Sequence, residues 1–246
     1  MKQLIGVDIG GTGIKGAPVD LDQGKLVTER VRIPTPEGAP PQPVAEVVAQ
    51  VVRDFDVDGP IGCTFPAVVT DGVARTAANV DPTWIGMDVH ALLQLECDRQ
   101  FIVINDADAA GLAEMRFGVG RGHTGVVVML TLGTGIGSAV FLNGQLVPNT
   151  EFGHLEIRGK AAETRASDKA REERDLGWHR WANRLNEVLA RIEALLWPDL
   201  FIIGGGVSKK SEHFIHLLSA RADVVPAALL NDAGIVGAAL AAAEAR

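Results

Sequence analysis

The sequence predicts an α/β protein built from two related halves. Two apolar runs typical of buried strands, residues 4–7 and 126–132, each lead into a glycine-rich loop. The loops share four residues, Gly11-Thr12-Gly13-Ile14 and Gly133-Thr134-Gly135-Ile136, and each is followed by a further strand, a turn and a similar tail. A pattern that occurs twice over about half of the chain favours two related halves over a solenoid, with chance similarity between glycine-rich turns as the alternative.

The rest of the chain alternates between predicted strands and predicted helices. The further predicted strands are residues 25–33, 61–65, 101–104 and 200–203. Apolar residues at helical spacing predict helices at 44–52, 89–95 and 178–195, and an alanine-rich stretch predicts a last helix from about 234 to the end. We predict an N-terminal domain at 1–108 and a C-terminal domain at 109–246, with the last helix (about 234–246) as a candidate to pack back on the N-terminal domain. The tryptophan-rich face of the 178–195 helix is interpreted as core or as a subunit contact.

Composition excludes several functional classes. The chain has 246 residues, 47% of them hydrophobic and 22% charged, which is ordinary for a globular protein. Its net charge of −8 argues against a general nucleic-acid or membrane-surface binder. Cys63 and Cys97 lie in no paired motif, and no apolar run approaches the roughly 18 residues of a membrane span. Because the N-terminus enters a strand directly, we expect no signal peptide and a cytoplasmic protein.

The first glycine loop has the chemistry of a phosphate site. Glycines let backbone N–H groups approach an anion closely, and the Thr12 hydroxyl and Lys15 ammonium suit phosphate oxygens. Asp8, at the end of the preceding strand, suits Mg²⁺ or its water shell. The glycines also satisfy G-x-G-x-x-G, but that dinucleotide-binding pattern requires a helix at the loop, and the following residues, which include Pro18, predict a strand instead.

Three later stretches carry polar side chains beside strands or glycines. Asn105 and Asp106 end a buried strand, where ligands bind in parallel α/β sheets, and helix capping is the structural alternative. Glu151 and His154 flank a glycine and form a polar constellation, although a lone histidine is more often a hydrogen-bonded core residue. Gly204–Gly206, followed by Lys209 and Lys210 at a predicted helix start, fits an anion site, and a plain strand-to-helix turn is the alternative. The charges between 158 and 175 alternate in sign, as on a solvated helix face.

Five motifs in this order resemble those of the ROK family of sugar kinases. They are Asp8–Gly16, Asn105–Ala110, Leu130–Gly137, Glu151–His154 and Ile202–Gly206. This family belongs to the actin-like ATPase and hexokinase superfamily. The resemblance covers the whole chain, and it implies a duplicated, ribonuclease H-like α/β fold with two domains flanking a cleft.

Six shorter stretches are similar to the actinobacterial polyphosphate glucokinases: 64–66, 69–73, 75–81, 84–86, 204–210 and 231–239. The resemblance implies phosphoryl transfer from inorganic polyphosphate to the 6-hydroxyl of glucose, with an ATP-dependent glucokinase or glucomannokinase as the alternative. Ala67 stands where the family usually has glycine, which bears on the shape of the sugar pocket.

The resemblance also assigns roles to single residues. Asp106 is the expected general base. The expected glucose-binding residues are Asn79, Asn105, Asp106, Glu151, His154 and Glu163. The expected donor-binding residues are Gly11, Thr12, Gly13, Lys15, Thr134, Gly135, Gly205, Gly206, Lys209 and Lys210. The donor is expected to bind with Mg²⁺, for which Asp8 is the candidate ligand.

Two departures from relatives sharpen these expectations. Most relatives fix the sugar-binding loop with zinc, held by a histidine like His154 and three cysteines downstream, and no cysteine lies between His154 and Glu163 here. We therefore expect no structural zinc. The sugar-responsive repressors of the family carry an N-terminal helix-turn-helix, for which a glycine loop near residue 10 leaves no room. The resemblance implies a homodimer and neither a nucleic-acid nor a membrane partner.

Overall fold

The computed structural model describes residues 2–78 and 80–245. Contacts group the chain into two compact units: unit 1 comprises Met1–Ala113 and Asp232–Arg246, and unit 2 comprises Glu114–Asn231. The domain boundary expected after residue 108 stays a prediction. Within the described ranges, no helix has both the length and the apolar character needed to cross a membrane.

Strands and helices alternate as the sequence predicts. The strands are β1 (Gln3–Gly10), β2 (Gly13–Asp20), β3 (Lys25–Leu26), β4 (Val31–Ile33), β5 (Ile61–Phe65), β6 (Val69–Thr70), β7 (Val73–Ala74), β8 (Phe101–Asn105), β9 (Val126–Leu132), β10 (Ile136–Leu142), β11 (Gln145–Val147), β12 (Glu156–Ile157), β13 (Lys160–Ala161), β14 (Leu200–Gly204) and β15 (Asp223–Pro226). The α-helices are α1 (Pro41–Val52), α2 (Val89–Cys97), α3 (Asp106–Phe117), α4 (Glu163–Ala166), α5 (Asp168–Glu173), α6 (Trp178–Leu196) and α7 (Ala233–Glu244). Short 3-10 helices include Pro82–Trp84, Phe152–His154 and Gly206–His213.

The two units contain sheets of the same design. The sheet of unit 1 has the strand order β3-β2-β1-β5-β8, with β4 also paired to β2, and that of unit 2 has the order β11-β10-β9-β14-β15. In both, three antiparallel strands are followed by two parallel ones. The predicted repeat is confirmed, because corresponding strands occupy corresponding places.

The strand predicted over residues 25–33 is wrong as one element. It is divided into β3, which pairs with β2 at Val19 and Asp20, and β4, which pairs with β2 at Ile14, Lys15 and Gly16. Both parts pair with β2, but residues 28–30 between them do not. At this break Arg30 forms an ion pair with Asp232, in which Arg30 Nη1 and Asp232 Oδ1 are 2.7 Å apart.

Helix α7 packs backbone to backbone against the sheet of unit 1. A Cβ at Gly6 on β1 would lie 1.9 Å from the carbonyl oxygen of Ile235, and one at Gly62 on β5 would lie 1.8 Å from that of Ala238. A Cβ at Gly237 on the helix would lie 1.7 Å from the carbonyl oxygen of Ala109. Only glycine fits such contacts, so these positions fix α7 on the sheet.

The core of unit 2 is instead built from large side chains on α6 and β14. Trp181, Leu185, Leu189 and Phe201 are fully buried, and Phe214 packs edge-on against Trp181 with ring centroids 4.9 Å apart. Of the two interpretations of this helix, the apolar face is therefore core. The expectation of a homodimer then depends on the resemblance alone.

Candidate active site

The first glycine loop is a tight turn with a fixed carboxylate at its base. Strands β1 and β2 stay paired up to Gly10 and Gly13, so Gly11 and Thr12 alone make the turn. Asp8 lies directly opposite Lys15, and its Oδ2 is 3.2 Å from Lys15 Nζ. The hydroxyl of Thr64 donates to the other oxygen, Oδ1, at 2.9 Å. Both carboxylate oxygens are therefore oriented by neighbouring strands.

Arg32 adds a second cation to this loop. It lies opposite Lys15 in the β2–β4 pairing, and its Nη2 donates to the carbonyl oxygen of Thr12 at 3.0 Å. A Cβ at position 13 would lie 2.8 Å from Arg32 Nε, so Gly13 makes room for the guanidinium. Sequence reasoning missed Arg32, and the only available signal was its place in a strand predicted to pair with the glycine hairpin.

Asn105 and Asp106 stand at the junction of β8 and α3. The side-chain oxygen of Asn105 accepts from the backbone N–H groups of Ala107 at 2.9 Å and Asp108 at 3.0 Å, while its amide donates to the carbonyl oxygen of Ala67 at 3.0 Å. Asn105 is thus buried and caps α3, as in the structural alternative, and a bond from it to sugar stays a prediction. Asp106 is the first residue of α3 and is partly exposed.

Ala67, the departure from the family pattern, is tied to this junction. Its carbonyl oxygen holds the Asn105 amide, and its backbone N–H donates to the carbonyl oxygen of Phe65 at 2.8 Å. Only 4% of the residue is exposed, so the extra methyl is accommodated inside the protein.

In unit 2, the second and third glycine loops touch each other. Gly205 has a φ of +83° and approaches the end of β9 so closely that a Cβ would lie 2.4 Å from the carbonyl oxygen of Leu132. The N–H of Gly133 donates to the carbonyl oxygen of Gly135 at 3.1 Å, and the carbonyl oxygen of Gly133 accepts from the N–H of Lys169 at 3.1 Å. The second loop, with Thr134 and Gly135, and the third loop, with Gly205 and Gly206, therefore lie against each other.

The sugar-site candidates gather beside the second loop. His154 Nε2 is 4.0 Å from Glu163 Oε1, and Glu163 Oε2 accepts from the N–H of Ile136 at 3.4 Å. A Cβ at Gly153 would lie 2.3 Å from the carbonyl oxygen of Ile136, which explains the glycine between Phe152 and His154. The pKa of Glu151 is raised, chiefly by burial and further by Glu163, while His154 acts in the opposite direction.

The third glycine loop leads into a short helix that carries Lys209 and Lys210. The helix predicted after the third loop is a 3-10 helix, Gly206–His213, with non-helical dihedral angles at Lys210. Lys209 and Lys210 are exposed on it. Asn79 lies outside the described residues.

The candidate residues thus form two sets, one in each unit. The set in unit 1 comprises Asp8, Gly11, Thr12, Gly13, Lys15, Asn105 and Asp106, together with Arg32. The set in unit 2 comprises Thr134, Gly135, Glu151, His154, Glu163, Gly205 and Gly206, followed along the chain by Lys209 and Lys210. Among residues 2–78 and 80–245, no group of three or more His, Cys, Asp or Glu side chains is arranged to hold a metal ion.

Comparisons with known proteins give a consistent assignment. The profile of the ROK family matches residues 4–166, more than half of the chain. The chain is 54% identical over 237 residues to the polyphosphate glucokinase of Mycobacterium tuberculosis strain CDC 1551, covering 96% of this chain and 89% of that protein. It is 27% identical over 319 residues to a glucokinase of Streptomyces coelicolor, covering 99% of this chain and 98% of that protein.

Solved structures agree with the sequence matches. The inorganic polyphosphate/ATP-glucomannokinase of Arthrobacter sp. strain KM superposes with a TM-score of 0.97 at 50% identity, covering all of both chains. A ROK-family glucokinase of Streptomyces griseus, solved with glucose and AMPPNP, superposes with a TM-score of 0.81 at 26% identity, covering 98% of this chain and 99% of that one. The predicted duplicated α/β fold class is confirmed, and the chain belongs to the ROK family of sugar kinases.

Proposed function

We propose that this chain is a polyphosphate glucokinase, which transfers a terminal phosphate from inorganic polyphosphate to the 6-hydroxyl of glucose and yields glucose 6-phosphate. The observation that carries the proposal is 54% identity to a polyphosphate glucokinase over 96% of the chain. The chemistry of the two residue sets supports it, because each set contains both phosphate-binding groups and acceptors for sugar hydroxyls.

Asp106 is the proposed general base. It would take the proton of the 6-hydroxyl as that oxygen attacks the phosphate, a role that contributes about 10²–10⁴-fold to the rate. Its place at the N-terminus of α3 supports the role, since the helix dipole favours an ionised carboxylate there. Asn105 caps the same helix turn and would hold the Asp106 backbone in place.

Glu151, His154 and Glu163 are the proposed sugar-binding residues of unit 2. Carboxylate oxygens accept hydrogen bonds from hydroxyls, and an imidazole can donate from one nitrogen and accept at the other, so the three groups together can read a pattern of hydroxyls. The backbone bond from Ile136 to Glu163 supports the role by fixing that carboxylate beside the second loop. Asn79 and Asn105 are further proposed contacts to glucose.

The glycine loops are the proposed donor site. Backbone N–H groups and the hydroxyls of Thr12 and Thr134 would hold the transferred phosphate, and positioning with charge neutralisation supplies most of the catalysis in phosphoryl transfer. Lys15 would add a positive charge, and Gly205 and Gly206 would line the same donor path.

A single carboxylate such as Asp8 fits Mg²⁺, which usually binds through one or two carboxylates, water and the substrate's phosphates. The Lys15 and Thr64 bonds to Asp8 support this fit, because they orient a hard oxygen ligand beside the loop. Asp8 would hold the ion, which would offset the charge of the donor phosphates.

Donor preference is the decisive test. The exposed Lys209 and Lys210 suit a chain of phosphates that continues past the transferred one, and the residues from Ser208 to Ser211 provide no apolar slot for adenine. We expect a higher kcat/KM with polyphosphate than with ATP in the wild type. We also expect Lys209→Ala/Lys210→Ala to lower the polyphosphate value, with Lys2→Ala/Lys25→Ala, which removes two exposed lysines of unit 1, as the control. A wild type that prefers ATP would replace this proposal with an ATP-dependent glucokinase.

A second candidate activity is phosphorylation of mannose. The superposition with the polyphosphate/ATP-glucomannokinase, at a TM-score of 0.97, favours it. The same kinetic measurements with mannose in place of glucose test this activity. A kcat/KM for mannose below about one hundredth of that for glucose would exclude it as a significant activity.

Three further proposals follow from the sequence. The chain forms a homodimer, to be tested by light scattering at several concentrations. It holds no structural zinc, which stoichiometric zinc in the metal analysis of the pure protein would contradict. It works in the cytoplasm, where both glucose and polyphosphate would have to be available to it.

A further inference from the structure

Unit 2 carries a group of arginines that has no role in the proposed site. Arg158 and Arg165 both pair with the same carboxylate, Glu187 on α6: Arg158 Nη2 lies 2.9 Å from Glu187 Oε1, and Arg165 Nη2 lies 2.8 Å from Glu187 Oε2. Arg184, one turn earlier on α6, donates from Nη1 to the carbonyl oxygen of Arg165 at 3.3 Å. These side chains therefore converge on the outer side of α4.

A fourth arginine joins them. Arg174 donates from Nη2 to the carbonyl oxygen of Thr164 at 2.8 Å, next to the carbonyl that Arg184 holds. We refer to Arg158, Arg165, Arg174 and Arg184 as the arginine cluster. Each of these bonds uses one N–H of a guanidinium that carries several, so donors remain for an anion.

The cluster concentrates positive charge in a chain whose net charge is −8. Glu187 is the one carboxylate paired with it in the part of the chain described. Other nearby carboxylates are engaged elsewhere: Glu163 by the N–H of Ile136, Asp168 by Arg171 and Glu173 by Lys169. Burial lowers the pKa of Arg184, the like charges of Arg174 and Arg165 lower it further, and Glu187 raises it. Repulsion of this kind is relieved by a bound anion.

The same short segment connects the cluster to the second glycine loop. Glu163 contacts Ile136 at the end of that loop, and the N–H of Lys169 donates to Gly133 within it. Arg165 lies two residues from Glu163, so their Cα atoms are within about 7 Å of each other. The segment 163–169 therefore joins part of the cluster to the second glycine loop.

We propose that the arginine cluster binds the part of a long polyphosphate chain that extends beyond the transferred phosphate. The inference rests on the proposed donor, a polyanion that continues beyond the transferred phosphate. Guanidinium groups suit it because they bind phosphate oxygens through paired, charge-assisted hydrogen bonds. We expect the cluster to act on long chains and not on tripolyphosphate.

The alternative role is structural, in which Arg174 and Arg184 only satisfy the carbonyl groups at the end of α4. That role predicts a lower melting temperature and an equal loss with every donor. It predicts no dependence on chain length, and this difference separates the two roles.

The experiment compares donors of different length in Arg174→Ala/Arg184→Ala. We expect the KM for long-chain polyphosphate to rise at least about 10-fold, because bonds between charged groups contribute roughly 1.5–3 kcal/mol. The KM values for tripolyphosphate and glucose should stay within about 2-fold of wild type, below the tenfold that 1.4 kcal/mol represents. Arg191→Ala, an exposed arginine two turns along α6, is the matched control and should leave every value unchanged.

Two further measurements keep the result decisive. Arg158→Ala, whose side chain is 70% exposed, tests the cluster if the double variant does not fold, and should raise the long-chain KM alone. Calorimetric titration with long-chain polyphosphate tests binding even if the wild type does not turn this donor over, the outcome that would defeat the proposed function. Equal losses with short and long donors, or unchanged binding of the long chain in the double variant, would overturn the proposal.

Discussion

The same four residues, Gly-Thr-Gly-Ile, form two loops in opposite electrostatic surroundings. The first loop, in unit 1, is bordered by Lys15 and Arg32, whose side chains lie opposite each other on neighbouring strands. The second loop, in unit 2, is bordered by Glu163, which accepts a backbone N–H from its last residue. Like charges opposite each other in a sheet are unfavourable, so the Lys15–Arg32 pair costs stability unless an anion or Asp8 offsets it.

This difference shows how duplication separates two tasks. The backbone of each loop is suited to a phosphate oxygen, but the neighbouring side chains decide what else the loop attracts. Both loops are proposed to hold donor phosphate, but the cations beside the first add to that attraction, whereas the carboxylates and imidazole beside the second also suit the hydroxyls of the acceptor. The two halves should therefore fail differently when they are altered.

The largest expected effect is on turnover. Asp106→Asn should lower kcat by about 10²-fold or more, because the amide cannot accept the hydroxyl proton. Asp54→Asn, at an exposed position after α1, serves as the control and should retain full activity. Steady-state kinetics with both substrates, together with a melting curve, checks this. A variant with near-normal kcat and an unchanged melting curve would falsify the assignment of the base.

The next effect sharpens the contrast between the loops. Arg32→Ala should raise the KM for the donor about 10-fold, the equivalent of one charge-assisted hydrogen bond, and leave the KM for glucose unchanged. Glu163→Gln should do the reverse by a similar factor. Arg53→Ala, an exposed arginine at the end of α1, controls for the loss of charge. If both variants change both KM values equally, the side chains beside the two loops do not differ in the substrate that they favour.

A smaller effect concerns the reason for each glycine. Gly205→Ala should lower the free energy of unfolding by more than about 1 kcal/mol, since its φ of +83° and the contact with Leu132 both exclude a Cβ. Gly11→Ala should be tolerated, because a Cβ there meets nothing within 4 Å. Urea denaturation of both variants measures the difference. Equal stability of the two would show that the third loop relaxes around the methyl group.

The smallest expected effect depends on pH. Because folding raises the pKa of Glu151, the folded state holds its proton more tightly than the unfolded state does. The stabilisation from this group is therefore present at low pH and is lost as pH rises through the raised pKa. Glu151→Gln should remove this term, so that the variant gains stability relative to wild type as pH rises while its KM for glucose increases. If the difference in melting temperature between wild type and Glu151→Gln does not vary between pH 4 and 8, the pKa of Glu151 is not raised by folding.

Local pattern predicted most of the fold. Buried strands are indicated by the apolar runs at β1, β9 and β14, and a buried helix by the valine spacing of α1. These elements can be identified without knowing what they pack against. Pattern failed where long-range contacts decide the outcome. At the break between β3 and β4, Arg30 pairs with Asp232, and no local signal marks a partner that far along the chain.

The candidate site was predictable to the same degree. Glycines, Asp106 and His154 belong to motifs that can be read directly, whereas Arg32 becomes part of the first loop only through the β2–β4 pairing. Asn105 was found from the sequence, but its role was not, because its sequence context suits both capping and ligand binding. Its bonds to Ala107 and Asp108 show the capping role, which the sequence could propose but not select.

The glycine contacts beneath α7 bear on how the chain is made. Unit 1 is discontinuous, and the helix that covers Gly6 and Gly62 follows the whole of unit 2 along the chain. A ribosome must therefore synthesise unit 2 before unit 1 can be completed. Until then the sheet has a bare, glycine-lined strip that no side chain shields. Unit 2, whose segment is continuous, is the unit that can finish folding first during synthesis, the reverse of the usual N-terminal-first order.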